Sequence, residues 1–231
     1  MKTAVIIGST GLVGSSLLEK LVQDPTFGQI LAIVRKRPTA ELSLWNNARV
    51  RCLEFDFVHW AELELQVKSF IGTQPSSFFC CLGTTISRAG SEENFQRVDL
   101  QYVSEFSKLA QACRAECLLV VSAIGADRNS QVFYSRTKGE MESAVAQTFK
   151  GRLHFFRPSL LLGDRKEFRF GERMAILLAP IYAPLLFGPL EQYRPVPAAT
   201  VAEAMLSVAA KRSAAANIIP NDEIFQIVKG G

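Results

Sequence analysis

The stretch AVIIGSTGLVGSSLLEKL, residues 4–21, places three glycines between an apolar run and a helical pattern. The glycines are three residues apart, which is the spacing of a dinucleotide-binding turn between a strand and a helix. The first glycine of such a turn permits a sharp bend, the second lets pyrophosphate approach the backbone, and the third allows close helix packing. The phosphate then meets the unpaired amides of the helix N-terminus. We therefore predict that the whole turn binds a nucleotide: Gly8, Ser9, Thr10, Gly11, Leu12, Val13 and Gly14.

Strand-like and helix-like segments alternate along most of the chain. Six apolar runs are short and nearly continuous, as strands buried on both faces are: TAVIIG, ILAIVR, VRCLEF, SFFCCLG, ECLLVVSA and LHFFRPS. Four segments between them space apolar residues three and four apart, as helices do: LVGSSLLEKLVQD, WAELELQVKSFI, VDLQYVSEFSKLAQACR and SRTKGEMESAVAQTF. This alternation predicts an α/β fold, with a doubly wound, Rossmann-like parallel sheet and helices on both faces.

The pattern changes after the sixth apolar run, where prolines become dense. The segment RPVPAATVAEAMLSVAAKR (194–212) predicts a loop followed by a helix, and EIFQIV (223–228) predicts a last strand. We expect one nucleotide-binding domain over residues 1–231, in which residues 158–231 supply most of a small C-terminal substrate lobe. The apolar run at 174–188 is too short for a membrane span and is interrupted by prolines, so we predict a pocket wall, a flap or a homodimer contact.

The composition excludes several classes of function. Hydrophobic residues make up 48% and charged residues 21%, which is an ordinary globular balance. The net charge of +4 is spread along the chain, with no basic run longer than RKR at 35–37, so we expect no nucleic-acid partner. The N-terminus lacks the long apolar segment of a signal peptide, which predicts a cytoplasmic protein. The odd number of cysteines, without a Cys-x-x-Cys pair, predicts reduced thiols and no metal site: Cys52, Cys80, Cys81, Cys113 and Cys117.

Basic residues stand where an NAD-specific fold carries an acid. The second predicted strand ends in AIVRKRP, with Arg35 and Arg37 in place of the Asp or Glu that holds the ribose 2′-hydroxyl. Guanidinium groups form charge-assisted bonds with phosphate, which predicts NADP as cofactor and NADPH in preference to NADH. A solvated basic loop is the alternative. Asp56 and Phe57 follow the third strand and are predicted to line the cofactor, with a helix N-cap as the alternative for Asp56.

A tyrosine and a lysine share one face of a predicted helix. The segment FYSRTKGE, residues 133–140, places Tyr134 four residues before Lys138. Residues four apart on a helix are neighbours, so the phenol and the ammonium can meet. The spacing fits a proton donor beside its activator, and it fits an exposed aromatic–lysine pair as well.

Five short motifs occur in a fixed order along the chain. They are the glycine turn, FFCCLGTT (78–85), VVSAIGAD (120–127), YSRTK (134–138) and FFRPSLLLGDR (155–165). This order resembles that of atypical short-chain dehydrogenase/reductases. The segments CCLGTT, RVDLQYV and FRPSLLLGDR are similar to those of the Tat-interacting-protein-like oxidoreductases in particular. The resemblance spans nearly the whole chain.

The resemblance implies roles for particular residues. Tyr134 and Lys138 would form the catalytic pair, with Ser122 as its third member. Relatives often carry two or three serines near Ser122, and if the functional hydroxyl belongs one residue later, this chain has Ala123 there. Asp99, in RVDLQYV, stands close to where many relatives have an asparagine that helps a water relay. Two further loops would contact the cofactor through Leu82, Gly83, Thr84, Pro158 and Ser159.

Together these features predict an NADP(H)-dependent oxidoreductase that acts on a small-molecule carbonyl or alcohol. In the reduction, NADPH would give a hydride to the carbonyl carbon, Tyr134 would protonate the oxygen, and Ser122 would orient it. The alternative is an NADPH-binding regulator or redox sensor with little or no turnover, since a Rossmann fold does not fix function. Animal relatives in this branch are regarded largely as regulators.

Overall fold

Seven parallel strands form the central sheet in a computed structural model of the chain, which describes residues 1–38, 43–163, 188–210 and 217–230. The strands of this sheet are β1 (Lys2–Ile7), β2 (Phe27–Val34), β3 (Val50–Glu54), β4 (Ser76–Cys80), β5 (Cys117–Val121), β6 (Arg152–Arg157) and β9 (Ile218–Pro220). Their order is β3-β2-β1-β4-β5-β6-β9, and every neighbouring pair is parallel. Two short strands, β7 (Leu161–Leu162) and β8 (Val196–Pro197), pair separately.

Helices connect the strands. They are α1 (Leu12–Gln23), α2 (Trp60–Ile71), α3 (Ile86–Ala89), α4 (Glu92–Gln96), α5 (Tyr102–Ala112), α6 (Phe133–Thr148), α7 (Ala198–Ala210) and α8 (Asn221–Lys229). A π-helical turn, Arg97–Gln101, joins α4 to α5. Short stretches of 3₁₀ helix cover Ser43–Asn46 and Gly188–Tyr193.

The sheet separates two apolar cores, because successive side chains of a strand point to opposite faces. In β1, Ala4 and Ile6 belong to the core that contains residues of α1, α7 and α8. Val5 and Ile7 belong to the opposite core, which contains residues of α2, α5 and α6. Helices therefore cover both faces, and the predicted doubly wound Rossmann-like fold is confirmed.

The strand order reverses between β1 and β4. Ile7, the last residue of β1, pairs with Ile33 on β2 and with Cys80 at the end of β4, so the carboxyl ends of these strands lie side by side. In open α/β sheets, ligands bind in the crevice outside the carboxyl ends at such a reversal. The loops after β1 and β4 flank this crevice, and the loops after β2 and β5 are next to them.

The segment EIFQIV forms part of a helix, so the prediction of a strand there was wrong. Helix α8 follows Pro220, carries Asp222 and Glu223 in its first turn, and buries Ile224. Acidic side chains in the first turn favour a helix because they face the positive end of its dipole. Ile224 and Val228 are four residues apart and join one core, a spacing that also suits a helix. The last strand is β9, which immediately precedes the helix.

The described C-terminal residues extend the nucleotide-binding sheet. Strand β9 pairs with β6, and α7 packs against α1. The predicted helix after the proline-rich loop is α7, which begins at Ala198. The apolar run at 174–188 lies outside the described residues, apart from Gly188. Across the part of the chain that the structure describes, no helix is long and apolar enough to cross a membrane.

Candidate active site

The glycine turn packs against the loop after β4 and against itself. Gly8 has a φ of +80°, and a Cβ there would lie 2.5 Å from the carbonyl carbon of Cys81. A Cβ on Gly14 would lie 2.1 Å from the carbonyl oxygen of Gly8. Both positions therefore require glycine for the fold itself. A Cβ on Gly11 would lie 3.4 Å from that same oxygen, which is close to an ordinary contact.

The N-terminus of α1 is left open for an anion. The helix begins at Leu12 and continues through Val13, and its N-cap, Gly11, has no side chain to satisfy the first amides. Its first turn carries no acidic residue. Ser9 is 1% exposed, and its hydroxyl has no hydrogen-bond partner among the described residues, whereas Thr10 is exposed. Unpaired helix amides and a buried unpaired hydroxyl are what a phosphate group would satisfy.

The two arginines after β2 have different surroundings. Arg35 is exposed and lines a cleft of about 340 Å³ together with Asp56. The guanidinium of Arg37 lies 3.5 Å from the carbonyl oxygen of Trp45, and the Arg37 backbone N–H donates to Glu54. Arg37 is thus engaged with its own chain, and Arg35 is the better placed of the two for a phosphate.

Asp56 organises the turn before α2. Its Oδ1 accepts hydrogen bonds from the backbone N–H groups of Val58 and His59, at 2.8 and 3.2 Å, and its Oδ2 lies 2.6 Å from His59 Nδ1. The hydrogen bond from Val58 is the largest cause of the lowered pKa of Asp56, and Asp56 in turn raises the pKa of His59. The helix N-cap is His59, so Asp56 closes the preceding turn and does not itself occupy the cap.

Phe57 adopts a backbone conformation that is unusual for a bulky residue. Its φ is +65°, and its buried ring packs against Phe55, Trp60 and Tyr102. These aromatic contacts stabilise the left-handed backbone conformation of Phe57, which directly follows Asp56. Because the ring belongs to a core cluster, the predicted contact of Phe57 with a cofactor would have to be made by its backbone.

Lys138 and Asp99 form an ion pair in the interior. Lys138 Nζ lies 2.7 Å from Asp99 Oδ1, and the two side chains are 4% and 1% exposed. Asp99 Oδ2 accepts a hydrogen bond of 2.8 Å from the backbone N–H of Thr84. Burial acts to lower the pKa of Lys138, but the nearby charged and polar groups, of which Asp99 contributes most, together outweigh burial and raise it. Lys138 is therefore a buried cation, and not the solvated lysine of an exposed pair.

Tyr134 and Ser122 are the other two residues of the predicted catalytic group. Tyr134 is half-buried, with its ring 5.6 Å from that of Phe95, and its charge interaction with Lys138 raises the pKa of that lysine. Ser122 follows β5, is 4% exposed, and its hydroxyl has no hydrogen-bond partner among the described residues. Ala123 is buried beside it and has no hydroxyl to offer. Of Ser122 and Ala123, only Ser122 therefore has a hydroxyl that could donate a hydrogen bond to a ligand or accept one from it.

The two remaining predicted cofactor loops are held by backbone hydrogen bonds. In the first, Leu82 and Thr84 are half-buried, and a Cβ on Gly83 would lie 3.6 Å from Asp99 Oδ1. In the second, the carbonyl oxygen of Pro158 accepts from Ile124 N–H, and Ser159 N–H donates to Asn221 Oδ1. Those two backbone groups of the second loop are therefore already paired within the protein.

Comparison with known proteins adds a family to this geometry. Rat protein HTATIP2 is 35% identical over 174 residues, which cover 75% of this chain and 69% of the rat protein. The chain belongs to the HTATIP2 family. Protein fmp52, mitochondrial, of Emericella nidulans is 34% identical over 179 residues, covering 78% of this chain and 75% of the fungal protein. The resemblance to Tat-interacting-protein-like oxidoreductases is confirmed, although no protein-family model matches.

Solved structures share the fold of this HTATIP2-family chain at low sequence identity. UDP-glucuronic acid 4-epimerase from Bacillus cereus, in complex with NAD, gives a TM-score of 0.67 at 12% identity, covering 99% of this chain and 81% of the epimerase. UDP-glucose 4-epimerase from Thermotoga maritima, with UDP-glucose, gives 0.67 at 14% identity, covering 99% and 82%. These likenesses show that the chain has the Rossmann-like α/β fold of these enzymes.

Gly139 was not among the predicted site residues, although it determines how closely α6 packs against the loop after β5. A Cβ on Gly139 would lie 2.1 Å from the backbone nitrogen of Arg128 and 2.3 Å from the carbonyl carbon of Asp127. Gly139 therefore lets α6 approach the loop after β5, and it directly follows Lys138 in sequence. A glycine inside a helical pattern was the available signal, since glycine there costs helix stability unless packing requires it.

The five cysteines are free thiols: Cys52, Cys80, Cys81, Cys113 and Cys117. Burial raises the pKa of Cys80 to about 12, and it raises those of Cys113 and Cys117 to about 11. These three thiols stay protonated at neutral pH and are poor nucleophiles there. Within the described residues, no group of three or more His, Cys, Asp and Glu side chains is arranged to hold a metal ion.

Proposed function

We propose that the chain is an NADP(H)-dependent oxidoreductase that reduces a small-molecule carbonyl or oxidises the corresponding alcohol. The observation that carries the proposal is the buried Lys138 cation on the same helix as Tyr134, at the crevice where the strand order reverses. A cation costs free energy to bury, and perturbed charged groups in such a crevice are typical of functional sites. The family relationship to HTATIP2 and the short-chain dehydrogenase/reductase fold support this proposal.

The glycine turn fits a dinucleotide. Gly11 presents bare backbone, the first amides of α1 lack a side-chain cap, and the Ser9 hydroxyl has no partner among the described residues. The Bacillus cereus epimerase of the same fold is described in complex with NAD. The preference for NADP rests on Arg35, whose exposed guanidinium suits a 2′-phosphate. Asp56 lines the same cleft and would face the adenosine part.

Three side chains would divide the work of the reduction. When bound, NADPH supplies a hydride to the carbonyl carbon and leaves as NADP⁺. The Tyr134 hydroxyl gives its proton to the carbonyl oxygen, so an alcohol forms, and solvent reprotonates the phenolate. The Ser122 hydroxyl, which has no partner among the described residues, would donate to the same oxygen and orient it. Lys138 would stabilise the phenolate by its charge and bind the ribose next to the nicotinamide.

A regulator that binds NADPH without turnover is the second candidate. The observation in its favour is that Ala123 stands beside Ser122, so this chain has a single serine at a position where relatives often have more. Such a regulator would still need the glycine turn, but it would not need the Tyr134 hydroxyl. The cytoplasmic location stays a prediction, and the fungal relatives are named mitochondrial.

Replacing Tyr134 with Phe separates the two candidates, because it removes one hydroxyl and keeps the ring against Phe95. A screen of aldehydes, ketones and quinones with NADPH first identifies a substrate. We expect Tyr134→Phe to lower kcat by ~100-fold or more, with unchanged NADPH affinity and thermal stability. Tyr193→Phe is the matched control, since that tyrosine is exposed and lies away from α6 in sequence. Wild-type turnover in Tyr134→Phe would disprove its role as the acid, and NADPH binding without any turnover would favour the regulator.

A further inference from the structure

The carboxylate of Asp99 connects two parts of the site that are distant in sequence. One oxygen pairs with Lys138 on α6, and the other accepts from the backbone N–H of Thr84 in the loop after β4. The Asp99 side chain is buried, so neither contact is shared with bulk solvent. The side chain therefore fixes the catalytic helix relative to the loop that is expected to line the cofactor.

The backbone around Asp99 is specialised for this contact. Asp99 lies in the π-helical turn Arg97–Gln101, between α4 and α5, and it is the buried residue of that turn. A π turn adds a residue to the helical repeat and is found frequently at functional sites. The turn also packs against α6, the helix that carries Lys138. The deviation from regular helix thus occurs where a carboxylate is directed at a buried lysine.

The Asp99 carboxylate makes the largest contribution that favours the charged form of Lys138. Burial acts to lower the pKa of Lys138, and the charge of Asp99, the charge interaction with Tyr134, the hydrogen bond to Asp99 and the interaction with Cys80 together outweigh burial and raise it. Tyr134 lies on the same helix as Lys138, and Cys80 lies at the end of β4. Cys80 is neutral at physiological pH, because burial raises its pKa to about 12. Loss of Asp99 would therefore remove the largest contribution that opposes burial.

We propose that Asp99 is a positioning residue for the reaction, which keeps Lys138 charged and ties α6 to the cofactor loop at Thr84. The inference rests on the proposed function, because it assigns Asp99 a part in turnover. One carboxylate makes both contacts, at 2.7 Å to Lys138 Nζ and at 2.8 Å to the backbone nitrogen of Thr84. The chain would thus hold its catalytic lysine by charge.

The charge of Lys138 can be measured directly, without a substrate. Lysine ammonium groups are followed by ¹H–¹⁵N NMR through a pH titration, and the Lys138 signal is assigned by its loss in Lys138→Met. We expect the wild-type Lys138 signal to persist to higher pH than those of exposed lysines. In Asp99→Asn the pH at which Lys138 loses its proton should fall, because the largest contribution that opposes burial is then removed. Glu142→Gln is the matched control: it removes the carboxylate of the other ion pair of α6, with Arg157, and should leave that pH unchanged.

Turnover provides the second readout. Because Lys138 would lose its proton at lower pH in Asp99→Asn, the limb on which the rate falls with rising pH should move to lower pH. We expect kcat to fall ~10-fold with little change in KM for the carbonyl substrate, since the effect is on positioning and not on substrate contact. If Asp99 had a purely structural role, Asp99→Asn would lower the stability of the protein and would not change the pH profile of turnover.

The outcomes distinguish this inference from the proposed function. If Asp99→Asn shows the wild-type Lys138 titration and the wild-type pH profile of turnover, the role of Asp99 is disproved and the proposed oxidoreductase function still stands. If wild-type protein turns over no carbonyl compound, the proposed catalysis fails, and the NMR titration still decides whether Asp99 controls the charge of Lys138. If Asp99→Asn does not fold, the wild-type titration decides: loss of the Lys138 proton together with those of exposed lysines overturns the inference.

Discussion

The glycine turn and the Asp99–Lys138 pair are the two ends of the proposed site, and they are held in opposite ways. The turn lies within seven consecutive residues, and it is fixed by backbone atoms so close that Gly8 and Gly14 cannot carry a side chain. The pair joins Asp99 of the π-helical turn to Lys138 of α6 through a contact between two buried charges. The nucleotide end is therefore sensitive to added volume, and the catalytic end is sensitive to changed charge.

Replacing Gly11 or Gly14 with alanine tests how sensitive the glycine turn is to the volume of one added methyl group. In Gly14→Ala the new Cβ meets the Gly8 carbonyl oxygen at 2.1 Å, so we expect the free energy of unfolding to fall by about 3 kcal/mol or more in urea titrations. In Gly11→Ala the same oxygen is 3.4 Å away, so stability should change by less than about 1 kcal/mol.

Nucleotide affinity should separate the same two variants. The methyl group of Gly11→Ala would occupy the space through which pyrophosphate approaches, and we expect the Kd for NADPH to rise by about tenfold or more in fluorescence titrations. Gly14→Ala, where it remains folded, serves as the comparison. Normal NADPH binding by Gly11→Ala would show that the phosphates do not lie against this turn.

The same contrast explains what the sequence could reveal. Glycine spacing and apolar periodicity are local, so the turn, the helices α1, α2 and α6, and the buried parallel strands were predictable. The Asp99–Lys138 pair joins residues 39 positions apart through a π turn, and periodicity contains no information about that contact. EIFQIV failed because a short apolar run fits strand and helix alike, and the acidic first turn after Pro220 favoured the helix.

Glu142→Gln tests whether charge at the catalytic end acts locally. Glu142 lies one helical turn after Lys138 and makes two contacts to Arg157, Oε1 to Nε at 3.0 Å and Oε2 to Nη2 at 2.6 Å. Replacing the carboxylate with an isosteric amide removes the charge partner of Arg157, which is half-buried. We expect the free energy of unfolding to fall by about 2 kcal/mol in urea titrations.

Activity is the control for this variant. Glu142 faces Arg157 on β6, whereas Lys138 faces Asp99, so the pH profile of turnover should match wild type at temperatures where the variant is folded. A pH profile displaced as far as that of Asp99→Asn would mean that the two ion pairs are coupled through α6. The catalytic end would then respond to net charge along the whole helix and not to one positioned carboxylate.

The smallest effect is expected at Arg35, where the proposed contact is an exposed ion pair between a guanidinium and the 2′-phosphate of the cofactor. Wild-type protein should bind NADPH more tightly than NADH, and Arg35→Ala should raise the Kd for NADPH by about tenfold while leaving that for NADH unchanged. Arg37→Ala is the matched variant, and we expect less than about a threefold change because its guanidinium lies against the Trp45 carbonyl oxygen. The ratio of the two dissociation constants, measured at low and high salt, makes the test specific, since an exposed arginine–phosphate contact weakens with ionic strength. Equal affinities for the two nucleotides in wild-type protein would mean that the RKR segment is a solvated loop, and charge would then matter at the catalytic end alone.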